Sequence, residues 1–568
     1  MSLIKNKMGI ALLILSLLLQ GCSGGGGDSG GDPDDVINPV TNKEVIQCTI
    51  GTSSGPVNNL DCTDTVSGPN VWLEGVVTYD RVGHKANGGL NYSDINALPV
   101  RGATVDAVYP GGVQSVATND AGAYKVCVPK NTADMLVRVN AELYRTGAPS
   151  WDFSVVDNTS GQALYVMQAS VPVLSADLVG MDLHAASGWD GSAYTATRVA
   201  APFAILDSVY DAFNTVLADC PGAQFPELII NWSVNNLVDE NNFNIAAGRI
   251  YSTAFDGEQI YVLGKANADT DEYDGHVIIH EWAHYFEHSF SRLDSIGGPH
   301  SGGDVLDIRV AFSEGFSNAY SAIASGDVNY NDSGGTDQSL GFSFNLEDNN
   351  CTNKGWYSEC SIQSIVYDLH DGANDDGVNL GFTPLFDVLI SEQRFTTALT
   401  SIFSFVHEVK QNNVSESGAI NTLVNNQNID SITDIYGDSE LTNNPGAVDK
   451  LPVYETIGFG QLVNVCSTAE HQNYNGLGVS RFLRFDLDRS RTVRISATRT
   501  SGLPYADPDI ILHYKGEGIA MADSTISNSE TLTGTLSTTG TYIIEVFEYS
   551  YREFGVGTTC FNVQLGSI

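Results

Sequence analysis

Between Val71 and Val126 apolar and polar residues alternate in short runs. Val71-Trp72-Leu73-Glu74-Gly75-Val76-Val77 begins the pattern, followed by Ala103-Thr104-Val105-Asp106-Ala107-Val108 and Ser115-Val116-Ala117-Thr118. Period-two alternation broken by turn residues predicts half-buried strands of an antiparallel sandwich. Asn119-Asp120-Ala121-Gly122 predicts a tight turn that joins Ser115–Thr118 to Ala123–Val126 as a hairpin. The period then lengthens. In Ala201–Leu217 the residues Phe203, Ile205, Leu206, Val209, Tyr210, Phe213 and Val216 recur at helical spacing. Further helices are expected over Gly275–Arg292, Ala311–Ala324, Ser361–Leu369 and Thr396–Val409, with Gly- and Asn-rich loops between them. Alternation returns in Arg481–Leu487 and Arg491–Ala497, and Asp507–Leu512 and Gly540–Val546 add apolar strand-like runs. The chain therefore reads as β-rich, then mainly helical, then β-rich, and its 568 residues suit two to four domains.

The ends of the chain add location. Lys5 and Lys7 precede an apolar run from Met8 to Leu19, then Leu19-Gln20-Gly21-Cys22. A charged start, a run too short to span a bilayer and small residues before a cut site describe a signal peptide over residues 1–22. Its ending resembles the bacterial lipobox, which implies acylation of Cys22, and Ser23 resembles lipoproteins sent to the outer membrane. Residues 23–70 open on a Gly- and Asp-rich stretch and are expected to form a flexible tether, leaving the domains in water beside a cell-envelope membrane.

Nine cysteines become eight once Cys22 carries lipid, an even number that suits disulfides in an exported chain. Cys48 with Cys62 and Cys351 with Cys360 are the expected loop staples. Cys466 and Cys560 bracket the last module, and Cys127 and Cys220 remain. The 27 basic and 68 acidic residues give a formal charge of −41, which argues against nucleic acid as a partner and favours solubility and divalent cations.

Chemistry concentrates in His280-Glu281-Trp282-Ala283-His284. Residues four apart on a helix share a face, so the two imidazoles can hold one metal ion, and neutral imidazole suits zinc. Glu281 stands beside the first ligand, where a carboxylate can take a proton from a metal-activated water. A metzincin pattern needs His at position 290, which is Phe here. His276 and His288 continue the stripe but read as flanking residues, because eight residues of helix span about 12 Å. The acidic run Asp269, Asp271, Glu272 and Asp274 just ahead of the motif suits the positive end of the helix dipole.

A third ligand is expected from Glu314 in Ala311-Phe312-Ser313-Glu314-Gly315-Phe316-Ser317-Asn318, with Asn318 one turn later placed to accept a ring N–H of a ligating His. This arrangement resembles the gluzincin peptidases, the thermolysin-like group. The resemblance implies a zincin-like catalytic domain with one zinc ion and a protein or peptide substrate. Two departures stand: the gap from His284 to Glu314 is longer than in that group, and Asn318 replaces its Asp. An oxyanion stabiliser is expected downstream, with Tyr367 and His370 as candidates. The Gly-rich loop from Arg292 to Asp304 could line the cleft with His300 contacting substrate, although a plain turn is the better account. For calcium, Asp327–Asp332 begins like an EF-hand loop but has Asp332 where Gly is needed and Gln338 where Glu is needed. Asp371, Asp375 and Asp376 offer other carboxylates.

Two further resemblances complete the domain reading. Pro99–Val105 and Thr118–Tyr124 resemble carboxypeptidase regulatory-like, transthyretin-type sandwiches, which implies an accessory module over 71–184. The strands after residue 460 resemble the bacterial pre-peptidase C-terminal domain, implying a sandwich over 461–568. The expectation is a multidomain chain: a mainly α zincin-like catalytic domain over 185–460, flanked by two all-β sandwich domains. The competing reading is an inactive, peptidase-like surface lipoprotein used for adhesion or carbohydrate binding.

Overall fold

The computed structural model describes residues 36–37, 43–372, 377–442 and 450–568. The signal peptide, Cys22, the glycine-rich start of the tether, Asp375 and Asp376 lie outside the described residues. By Cα proximity the described residues divide into two compact units, one over 46–289 and 320–346, the other over 290–319 and the described part of 347–568 with residues 36–37 and 43–45.

Among the described residues the first unit has four sheets, two of them large. The fifteen-residue strand Asn70–His84 pairs with Leu90–Pro99 and Ala123–Pro129, and in parallel with Leu183–Ala185. A ten-stranded sheet contains Ala103–Tyr109, Gly112–Ala117, Met135–Gly147 and Trp151–Asp157. Val71, Leu73 and Val77 from one sheet and Val105, Val137 and Val139 from the other are buried, as alternation requires of inward positions. The hairpin expected over Ser115–Val126 is not formed. Gly112–Ala117 pairs with Ala103–Tyr109, whereas Ala123–Pro129 pairs with Asn70–His84, so the turn at Asn119–Gly122 crosses from one sheet to the other. Turn chemistry is the same for both outcomes. Gly122 sits at φ +72°, and a Cβ there would meet the Val77 carbonyl oxygen at 2.3 Å.

The large sheet continues past residue 184. Leu228–Trp232 pairs in parallel with Trp151–Asp157 and with Ile260–Val262. Parallel neighbours need a crossover, and the helix α1 (Ala201–Asp219) lies within it. Phe213 of α1 packs against Trp151 and Phe153, with ring centroids 4.9 and 5.5 Å apart. The expected Cys48–Cys62 staple is replaced by Cys48–Cys220 and Cys62–Cys127. Both cysteines belong to the stretch read as tether, so part of that stretch is bonded to the folded unit. The helix α2 (Gly275–Phe290) also belongs to this unit.

In the second unit the C-terminal residues form two sheets of five strands, one of them completed by Val36–Ile37, which pairs in parallel with Ser529–Leu536. Ser480–Leu487, Gly540–Glu548 and Pro508–Tyr514 lie in one, and Arg491–Ser501, Thr558–Ser567 and Leu462–Thr468 in the other. Leu483, Phe485 and Ile544 pack with Val493, Ile495 and Phe561 in a single core, so this module is a β-sandwich. Cys466–Cys560 links directly opposed residues of two strands, and Cys351–Cys360 closes a short loop. The helix α3 spans Ile308–Ser325 and α4 spans Glu359–His370. The helix expected over Thr396–Val409 starts later, at Ile402, because Ser401 is extended and forms a capping box with Ser404.

Candidate metal centre

Helix α2 is oriented by its aromatic face. Trp282, Ala283 and Phe286 are fully buried, and the rings of Trp282 and Phe286 both stack on Tyr320 at 5.9 Å. Burying that face turns the histidines to the other. His280 Nε2 and His284 Nε2 stand 3.1 Å apart. Two imidazole nitrogens bound to one tetrahedral zinc at 2.0–2.1 Å would be separated by about 3.3 Å, so the pair fits that ion. His284 Nδ1 lies 3.5 Å from the buried Glu287 carboxylate. A carboxylate behind the far ring nitrogen fixes which nitrogen faces a metal. Sequence reasoning missed Glu287, although its spacing of three from His284 on one helix was the available signal. Glu281 Oε2 accepts a 2.7 Å hydrogen bond from the backbone N–H of Phe255, which holds that carboxylate in place. His276 Nε2 bonds the Asp327 carbonyl oxygen at 2.8 Å, and burial lowers its pKa. His288 packs edge-on to Phe255. Both act as flanking contacts.

On α3, Gly315 lets α4 approach closely: a Cβ there would meet Ile362 Cβ at 2.6 Å and the Glu359 carbonyl oxygen at 2.8 Å. That approach brings Glu359 and Gln363 onto Asn318, whose side-chain amide donates to them at 2.7 and 3.0 Å. Glu314 is buried, and His300 Nε2 lies 3.2 Å from Glu314 Oε2 and 3.9 Å from the Glu359 carboxylate. Burial pulls the His300 pKa down, but the Glu314 and Glu359 carboxylates outweigh it and push it up to about 10. The loop is thus more than the plain turn expected of it. Asn475 donates to the Gly297 and Pro299 carbonyl oxygens and Tyr474 to that of Ile296, so residues of the C-terminal sandwich hold the loop that carries His300. Tyr367 and His370 sit on α4 with rings 6.2 Å apart, and among the described residues His370 Nδ1 is buried without a hydrogen-bond partner.

The acidic run before α2 divides in two. Glu272 pairs with Arg198, and Asp274 bonds His84 at 2.6 Å and the Ser333 N–H and hydroxyl at 2.9 Å. These carboxylates tie the start of α2 to other elements of the unit. Asp269 and Asp271 instead meet Asp332, with ligand atoms within 4.8 Å of one another. Burial first, and then repulsion by Asp274 and the other nearby carboxylates, raises all three pKa values, Asp269 to about 6 and Asp332 to about 8. The EF-hand-like segment does not form such a loop; Asn329–Gly334 is a strand.

Residues 227–426 match the family described as the Mycolysin C-terminal domain, which sets this stretch in a peptidase context; it contains α2, α3 and α4. Among solved structures, the chain is similar to the pre-peptidase C-terminal domain of collagenase from Bacillus anthracis, at 13% identity over 22% of this chain and 99% of that one, with a TM-score of 0.16. It is also similar to PliG from Aeromonas hydrophila, a periplasmic inhibitor of g-type lysozyme, at 12% identity over 20% of this chain and 96% of that one, TM-score 0.15. At such scores neither likeness carries an argument. No curated protein matches the chain.

Proposed function

We propose that this chain is a zinc-dependent peptidase that hydrolyses protein or peptide substrates at the bacterial cell envelope, anchored through Cys22. One observation carries the reading: the Nε2 atoms of His280 and His284 stand 3.1 Å apart on one helix beside Glu281, with Glu314 as the expected third ligand. Such a donor set with an adjoining carboxylate suits zinc that keeps an open position. When bound, zinc supplies Lewis acidity towards water and the scissile carbonyl. Glu281 then removes the proton from the attacking water as its oxygen adds to the peptide carbon. The same carboxyl group returns that proton to the nitrogen as the C–N bond breaks. Glu287 orients His284. Asn318 donates its amide N–H groups to Glu359 and Gln363. His300 pairs with the Glu314 carboxylate and so offsets its charge.

Zinc analysis of the purified mature protein together with a peptide-library digest tests the proposal. About one zinc per chain is expected, with Glu281→Gln keeping the metal and losing cleavage. A metal-free wild-type protein, or full cleavage by E281Q, would overturn it. A zinc-loaded wild type that cleaves nothing would favour an adhesive, peptidase-like protein instead.

A further inference from the structure

We propose that Asp269, Asp271 and Asp332 form a second cation site, distinct from the imidazole site, that takes a hard divalent ion of the calcium class.

The strand pairing produces it. Asp269 on Asp269–Thr270 is opposed to Gly334 on Asn329–Gly334 in an antiparallel ladder. Residues two further along one strand and two back along the other share the same face, and those residues are Asp271 and Asp332. Three carboxylates are thereby crowded onto one side of the two strands, with ligand atoms all within 4.8 Å. Oxygens bound to one calcium at 2.3–2.6 Å lie up to ~4.8 Å apart, so one ion can reach all three.

A crowd of acids is common on protein surfaces, but this one is not on the surface. Asp271 is only 3% exposed, and its Oδ1 accepts no hydrogen bond; the other oxygen takes the Thr253 hydroxyl. Asp269 Oδ1 is likewise buried and without a partner. Among the described residues no Lys, Arg or His pairs with these three carboxylates, whereas their neighbours Glu272 and Asp274 have Arg198 and His84. Leaving buried carboxylate oxygens unsatisfied is costly, and burying several like charges together without a counterion costs more. A cation removes both costs at once. All-carboxylate oxygen donors favour calcium over zinc, and donors spread over two strands suit calcium's flexible geometry better than magnesium's strict octahedron. Asp271 is followed four residues later by the first residue of α2, so an occupied site would brace the start of the helix that carries His280 and His284.

The test uses the mature protein with its zinc retained. Calcium is titrated while thermal unfolding is followed, and bound ions are counted by native mass spectrometry. The expected result is at least one calcium per chain and a Tm raised by about 5 °C or more at a hundredfold excess over Kd. Asp332→Asn should abolish most of that shift and lose one ion, with zinc content unchanged. If D332N does not fold, Asp269→Asn provides the same comparison from the half-buried edge of the cluster. Absence of bound calcium on wild type at millimolar supply overturns the site. So does a calcium shift equal in wild type and variants, since the ion would then sit elsewhere.

Discussion

Arg309, the second residue of α3, donates to both carboxylate oxygens of Glu545, at 3.1 and 3.0 Å, across 236 residues of sequence. Glu545 lies on the sandwich strand Gly540–Glu548 and also accepts from His513, Arg552 and Ser480 at 2.8, 2.6 and 2.6 Å. Burial alone would raise its pKa, but Arg309 and Arg552 hold it well below the carboxylate range. The sandwich therefore grips the helix that carries Glu314. Glu545→Ala leaves the buried Arg552 guanidinium without its carboxylate and Arg309 with Asp307 alone, and should cost about 3–5 kcal/mol in denaturant unfolding. A loss under about 1 kcal/mol would contradict a gripping role. Deleting residues 461–568 should give protein that no longer holds zinc, read by metal analysis of any soluble product.

Glu287 acts on the proposed site through His284 Nδ1 rather than by touching metal. Glu287→Ala should weaken zinc binding by about 10–100-fold, measured by chelator competition. At saturating zinc the variant's cleavage should approach that of wild type. Unchanged affinity would show that the 3.5 Å contact does not tune the imidazole.

The disulfides differ greatly in the length of chain they close. Cys48–Cys220 spans 172 residues and Cys351–Cys360 only 9. In the chain-entropy account, longer closures restrict the unfolded ensemble more, so removing both cysteines of the first pair should cost about 2–5 kcal/mol and the second pair less. Guanidinium midpoints of the two double-serine variants check this; the reverse order would mean that local strain or unfolded-state structure dominates.

Asp509, on the sandwich strand Pro508–Tyr514, has its pKa pushed up to about 8 by burial and by the neighbouring Asp507 and Asp523. A carboxyl group that holds its proton more tightly when folded stabilises the fold below its unfolded pKa near 4. That contribution is lost as pH rises through about 8. The sandwich should therefore lose on the order of a few kcal/mol between pH 5 and pH 9, and Asp509→Asn should flatten the profile. A variant with the wild-type pH dependence of Tm would assign the loss to other groups.

Local pattern was informative where local physics decides. Alternation in Arg481–Leu487 and Gly540–Val546 located strands that the sandwich contains, and helical spacing located α1 to within a few residues. The i, i+4 spacing of His280 and His284 puts both rings on one face whatever surrounds the helix. Pairing was not legible in the same way. The turn at Asn119–Gly122 serves a hairpin or a crossing between sheets equally well, and only the available partner strands separated the two. Cys48 found Cys220 rather than the nearby Cys62 for a similar reason: bonding follows distance in the fold, not along the chain.

The HExxH stretch is where the division is sharpest. Sequence alone determined the donor types, their shared helix face and the adjoining Glu281, because each depends only on helical geometry. Tertiary packing decided that Glu287 stands behind His284, that His300 faces Glu314 and that Asp269 and Asp271 meet Asp332. Those relationships join side chains from separate elements, apart from Glu287, or depend on how a ring is turned. They are set by which apolar faces are buried together: Trp282 and Phe286 against Tyr320, and Gly315 against Ile362. No periodicity in the chain encodes which faces those will be.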